Sequence, residues 1–158
     1  MKHYIAIDWG ATSGRVMVAH VENGHIEMEE VHRFAHAIRY DGDGHLTWDF
    51  TSLLHESVEG LRKAAALGHR YESVGVDTWG VDIVFYDGEG QMIAEPLSYR
   101  DPFTADTTHL FFEQYIPAET LYHKTGIQFM PFNTVFKLFA CRCENYRPFI
   151  EARHILFL

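Results

Sequence analysis

The stretch from His3 to Val18, HYIAIDWGATSGRVMV, constrains the fold of this chain more than any other. Apolar residues alternate up to a carboxylate at Asp8, the chain turns through Gly10-Ala11-Thr12-Ser13-Gly14, and Arg15 leads directly into a second apolar run. Period-two alternation on both sides of a short glycine-bearing turn predicts two adjacent antiparallel strands. A turn of small and hydroxyl residues offers free backbone N–H groups to an oxyanion, and an acid at the end of the strand beside it suits a divalent cation. Phosphate and magnesium are the chemistry that fits, with Asp8 as the metal ligand and Ala11, Thr12, Ser13, Gly14 and Arg15 along the anion. From the local pattern alone, an acid satisfying the N–H groups of its own turn explains Asp8 equally well. There is no GxxxxGK[ST] loop, so the better-known phosphate motif adds nothing.

Further along, Ile26–Phe34 forms a third strand after Asn23-Gly24, a strong hairpin signal. Its apolar phase shifts from Ile26 and Met28 to Val31 and Phe34, which marks a bulge or an exposed edge. Asp41-Gly42-Asp43-Gly44 is a turn and lacks the carboxylate spacing of a calcium loop. From Asp49 as N-cap, Leu54, Val58, Leu61 and Ala65 fall at helical spacing, with Gly68 as the stop. Ser73–Asp77 is expected to be a short buried strand with an acid at its carboxyl end, where open α/β sheets place ligand chemistry. Ile83–Tyr86 and Gln91–Ala94 suggest a second small hairpin. Thr104–Tyr115 and Ala118–Lys124 are expected helices, and Asn133 caps another carrying Val135, Leu138 and Phe139. His154–Leu158 has the pattern of a core strand that finishes at the last residue, as in a fragment of a longer protein. Three antiparallel strands, a crossover helix and a further strand give an α/β, ribonuclease-H-like layout: a mixed β-sheet flanked by helices.

Composition narrows the partners. A formal net charge of -9 repels a polyanion, which argues against nucleic acid, and no apolar run reaches the roughly 20 residues of a membrane span. Acidic and basic residues at Asp8 and Arg15 interrupt any secretory h-region, so a cytoplasmic location is expected. Cys141 and Cys143, one residue apart, suit neither a disulfide framework nor a zinc knuckle, and buried or idle thiols account for them. His32 and His36 have the spacing of a helical ligand pair but fall in a strand segment, where hydrogen-bonded or solvated histidines are the simpler account.

Around Thr78-Trp79-Gly80-Val81, Asp77 and Asp82 suit a pocket edge in which Gly80 admits close ligand approach; a bend with Trp79 in the core is the competing explanation. Arg100-Asp101 suits an ion pair at a helix start. Asn133 is first a cap, although its amide can also reach a hydroxylated ligand.

Taken together, IDWGATSGRVM (7–17), VHRF (31–34), HLTWD (45–49), VGVDTWGVD (74–82), YRD (99–101) and GIQFMPFNT (126–134) resemble the FGGY carbohydrate kinases, within the fold group shared by sugar kinases, actin and Hsp70. The resemblance covers almost the whole chain. It is strongest to the branch that phosphorylates L-rhamnulose on its 1-hydroxyl, because glycerol-phosphorylating members carry Arg-Glu where Gly80 and Val81 stand here. It implies ATP and Mg2+ as cofactors, Asp8 placing the magnesium, residues 11–15 along the ATP phosphates, and Gly80, Asp82 and Asn133 at the ketose. It further implies that residues 1–158 are an N-terminal domain whose C-terminal partner is absent. The catalytic aspartate base then lies beyond Leu158, and the fragment is inactive alone. Pro102-Phe103 departs from the polar and basic residues of the family pattern. Alternatives are another FGGY kinase acting on a related ketose or pentulose, a metal-dependent ribonuclease-H-like nuclease using Asp8 and Asp77, or a non-catalytic interaction module. Exposed strand edges favour self-association in any of these.

Overall fold

The computed structural model describes residues 1–158. In chain order the elements are β1 (Lys2–Trp9), β2 (Ser13–Glu22), β3 (His25–Ala35), β4 (Ile38–Tyr40), β5 (Leu46–Trp48), α1 (Phe50–Ala66), β6 (Tyr71–Asp77), β7 (Ile83–Tyr86), a 3₁₀ turn (Pro102–Thr104), α2 (Thr108–Gln114), α3 (Ala118–Thr125), α4 (Thr134–Cys143), α5 (Arg147–Glu151) and β8 (His154–Phe157). They form two compact units, one of residues 1–38 and 49–79, the other of residues 39–48 and 80–158.

The first unit is built on a mixed sheet of order β3-β2-β1-β6. β1 and β2 pair antiparallel with Trp9 opposite Gly14, and Asn23 and Gly24, both at positive φ, make the tight turn into β3. The β2–β3 register shifts between Val16 and Met17, leaving Val31 as the extra residue. β3 is therefore both bulged and at the edge, as its apolar phase suggested. Asp49 caps α1 by accepting from the Ser52 N–H, and Gly68, at φ +74, ends it.

Which face of α1 meets the sheet differs from the expected one. Leu53, Ser57, Gly60 and Ala64 are buried, whereas Leu54 is 47% and Val58 43% exposed. Close approach decides it. A Cβ on Gly60 would lie 2.2 Å from Val16 Cγ2, so the contact stripe needs small residues, and Ser57 also accepts the Trp9 Nε1–H at 2.9 Å. A second correction concerns β6. It is a strand, parallel to β1, but not a buried one: it sits at the open edge, with Val74 54% and Val76 59% exposed.

In the second unit, β4 and β5 flank the Asp41–Gly44 turn, where Asp41 Oδ1 accepts from the Asp43 and His45 N–H groups. β7 is buried and pairs antiparallel with β8, not with Gln91–Ala94, which contributes only an isolated bridge from Met92 to Tyr86. β8 is itself exposed along its length and is no core strand, because β7 occupies its only paired side. The expected helix from Thr104 is divided into the 3₁₀ turn and α2, and α5 was not foreseen. Ile83, Phe85 and Cys141 form a core against which Phe103, Leu138, Tyr146 and Phe149 pack. Burial pushes the Cys141 thiol up to about 12 and raises the Tyr146 phenol in the same direction. Cys143 is exposed, and both cysteines are free. No helix is long and apolar enough to cross a membrane.

Candidate functional site

In the first unit the hairpin predicted between β1 and β2 is formed. Asp8 and Arg15 are opposed across β1 and β2, and the Arg15 Nε–H donates to Asp8 Oδ2 at 2.7 Å with both side chains partly exposed. The pairing engages Nε, and the terminal amino groups of an arginine held this way can still donate to an anion. Between the strands, the Gly10 N–H bonds the Ser13 carbonyl at 3.0 Å, and the Gly10 carbonyl accepts from His36 Nε2 at 2.6 Å. His36 in turn stacks on Trp79 at 5.7 Å, so the base of the loop is fixed while Thr12 is exposed at its tip. Gly14 has a different reason to be glycine: an added Cβ would fall 2.1 Å from Phe34 Cζ. His32 is hydrogen-bonded to Glu56 at 2.7 Å, consistent with a structural histidine and not a ligand paired with His36.

The parallel pairing of β1 and β6 brings Asp8 level with Asp77 at the carboxyl ends of adjacent strands. Directly after Asp77, the buried Thr78 hydroxyl has no hydrogen-bond partner. Two carboxylates, an orphan hydroxyl, an arginine and a loop of small residues are hard-oxygen and anion-binding groups in one place, and they fit a magnesium ion with phosphate.

In the second unit, Gly80 is exposed and a Cβ there would meet nothing within 4 Å. Nothing in the fold demands glycine at this position. Val81 follows at φ +73, a costly conformation for a β-branched residue, and its carbonyl accepts from the Thr134 hydroxyl at 3.1 Å. Asp82 is fully buried. Its carboxylate accepts from Trp48 Nε1 at 2.6 Å and the Tyr99 N–H at 3.2 Å, and pairs with Lys137, whose ammonium also bonds the Leu97 carbonyl at 3.0 Å. Neither oxygen is open to a ligand, so the carboxylate anchors the backbone that carries Val81.

Asn133 precedes α4, but its side chain does not cap the helix; Oδ1 accepts from the Met130 N–H at 3.0 Å and Nδ2 donates to the Gln128 carbonyl, closing the preceding turn. It lines an apolar cavity of about 370 Å³ together with Val81, Ile127, Phe129, Thr134 and Val135. Asp101 bonds the Leu46 and Phe103 N–H groups, while the Arg100 guanidinium lies over the Tyr99 ring, so the expected ion pair between neighbours is replaced by a cap and a cation–π contact.

Lys137, Trp48 and Thr134 were not singled out from the sequence. Lys137 carried a usable signal: it lies four residues before Cys141 on the buried stripe of α4, and a lysine there requires a buried acid.

Comparison with known proteins identifies the family. Residues 3–157 match the family model described as the FGGY family of carbohydrate kinases, N-terminal domain. The chain is 45% identical over 136 residues to a rhamnulokinase of Bacillus subtilis, covering 86% of this chain and 28% of that protein. It is 41% identical over 158 residues to a rhamnulokinase of Lactiplantibacillus plantarum, covering all of this chain and 31% of that protein. It thus spans about a third or less of the length of these curated relatives. Among solved structures, a gluconate kinase and a ligand-bound xylulose kinase, both from Lactobacillus acidophilus, superpose with TM-scores of 0.82 at 14% identity, each over 98% of this chain and 31% of the other, which establishes a shared fold. None of these relatives supports the nuclease alternative. An α/β chain whose mixed sheet carries this hairpin, and which the family model matches over nearly all its length, belongs to the FGGY carbohydrate kinases and corresponds to their N-terminal domain.

Proposed function

We propose that the chain is the N-terminal part of an ATP-dependent kinase that phosphorylates L-rhamnulose on its 1-hydroxyl. The observation that carries this reading is Gly80. The fold leaves open space where its side chain would be, and an apolar cavity begins at the next residue, Val81. A small polyol with an apolar end suits such a place, and L-rhamnulose, a 6-deoxyketose, ends in a methyl group. The rhamnulokinase relatives support the same substrate.

In this reading bound Mg2+ and ATP supply the transferable phosphoryl group and neutralise its charge. Asp8 holds the cation, directly or through water, with Asp77 level with it. Arg15 and the backbone N–H groups of residues 11–14 bind phosphate oxygens. Gly80 lets the ketose approach the backbone, Asn133 offers an amide at the cavity wall, and the cavity takes the methyl end. Asp82 is reassigned from a sugar ligand to a positioning residue that keeps the strained Val81 peptide in place. The proton acceptor for the sugar hydroxyl is assigned to sequence outside these residues, so the chain alone forms no sugar phosphate above background.

An amide-resolved NMR titration tests the reading. L-rhamnulose is expected to shift the amides of residues 80–82 and 133–135, and Mg·ATP those of residues 10–15. Gly80→Ala leaves the unfolding midpoint in place and weakens sugar binding about tenfold or more. A pentulose that shifts residues 80–82 more strongly than L-rhamnulose does would overturn the substrate assignment.

A further inference from the structure

We propose that His3, His20 and His69 form a binding site for a borderline-soft divalent cation of the zinc class, separate from the magnesium and phosphate groups. His3 and His20 are directly opposed in the β1–β2 register, and their Nδ1 atoms lie 2.8 Å apart. His69, just past the Gly68 stop of α1, stacks on His3 with ring centres 4.1 Å apart, and one ring nitrogen of each histidine lies within 4.8 Å of the others. Tetrahedral zinc at about 2.0–2.1 Å from imidazole nitrogens sets its ligand atoms roughly 3.3 Å apart. The His3–His20 pair must open by about half an ångström and His69 must close by about one and a half at most, which an exposed side chain after a glycine can supply.

The surroundings favour a cation. Glu29 lies 3.5 Å from His20 Nε2, where it stabilises the tautomer with the proton on Nε2 and leaves Nδ1 as an acceptor; that Nδ1 now faces His3 Nδ1 across a hydrogen bond, which a bound cation would replace. Glu22 and Glu27 line the adjoining pocket beside His20. The site is also distinct from the kinase chemistry. His3 and Asp8 stand five residues apart on β1, roughly 17 Å along the strand, and imidazoles select zinc-class ions where carboxylates select magnesium.

Isothermal titration of the chain with zinc chloride, magnesium being held in excess, tests the site. The expected result is one zinc per chain with micromolar affinity, weakened about tenfold or more by His69→Ala and by His20→Gln and unchanged by His55→Ala. His69 is exposed, so its replacement leaves the fold intact; an unchanged unfolding midpoint in the absence of zinc, together with a zinc-dependent rise that His69→Ala abolishes, gives a second readout. Millimolar or weaker binding, or equal weakening by His55→Ala, overturns the proposal.

Discussion

Replacing Lys137 with methionine is the sharpest structural perturbation available. Lys137 is 2% and Asp82 0% exposed, and the ammonium is ion-paired with the carboxylate. Methionine fills nearly the same volume, so no cavity complicates the outcome. The variant leaves a buried carboxylate that has lost its ammonium partner while still accepting from Trp48 Nε1–H and the Tyr99 N–H, and a Leu97 carbonyl without the Lys137 hydrogen bond. Breaking a buried pair in this way costs about 3–5 kcal/mol, against a total stability of roughly 5–15 kcal/mol. For a chain of this length, that lowers the thermal midpoint by about 6–20 °C. Urea unfolding followed by tryptophan fluorescence reads the change, with Trp48 itself part of the network. Adding Asp82→Asn in the Lys137→Met background removes the stranded charge while keeping an acceptor for the indole, and should recover about half of the loss or more. A Lys137→Met cost under about 1 kcal/mol, or simple additivity of the two substitutions, would refute the argument that this pair anchors the Val81 backbone.

Gly60→Ala sets helix propensity against packing. The gain of about 1 kcal/mol from alanine is outweighed by about 1–3 kcal/mol of overpacking against Val16, so the variant is less stable in urea, and Val16→Ala reverses the sign. Native alkylation followed by mass spectrometry should label the exposed Cys143 and spare Cys141, whose thiol is buried and pushed up to about 12; equal labelling of both would contradict the packing of α4. The same shift fixes a pH dependence. Cys141 and Tyr146 are both held protonated in the folded state, so stability is intact below their ordinary values and declines as pH rises through and beyond them, by about 1.4 kcal/mol per pH unit for each group. A midpoint flat in pH through that window would show that neither burial persists in solution.

The alternation around Asp8, the Asn23-Gly24 turn, the Asp49 cap and the Gly68 stop were legible because each is decided within a few residues by backbone geometry. Errors arose where long-range packing decides. The contact face of α1 was missed because apolar counting favours leucine and valine, whereas the sheet approaches so closely that glycine, serine and alanine are needed. The exposure of β6 and β8 depends on which strands stand beside them, and residue identity does not reveal neighbours. At the site, the two strands that carry Asp8 and Arg15 were recognisable as neighbours, but the ion pair between these side chains was not, and the open space at Gly80 agrees with the close approach expected there without testing it. The burial of Asp82 was not recognisable, because its partners at Trp48, Tyr99 and Lys137 are 34, 17 and 55 residues away.

The central claim, that this chain contributes the phosphate-binding hairpin and the ketose wall of an L-rhamnulose kinase, is tested most directly by grafting. Residues 1–158 would replace the equivalent part of the Bacillus subtilis rhamnulokinase, and kcat/KM would be measured for L-rhamnulose, D-xylulose and D-gluconate. The account predicts turnover of L-rhamnulose about tenfold or more above the other two, and its loss on Asp8→Asn with the unfolding midpoint unchanged. A folded graft that prefers D-xylulose or D-gluconate, or that keeps full activity without the Asp8 carboxylate, would contradict it.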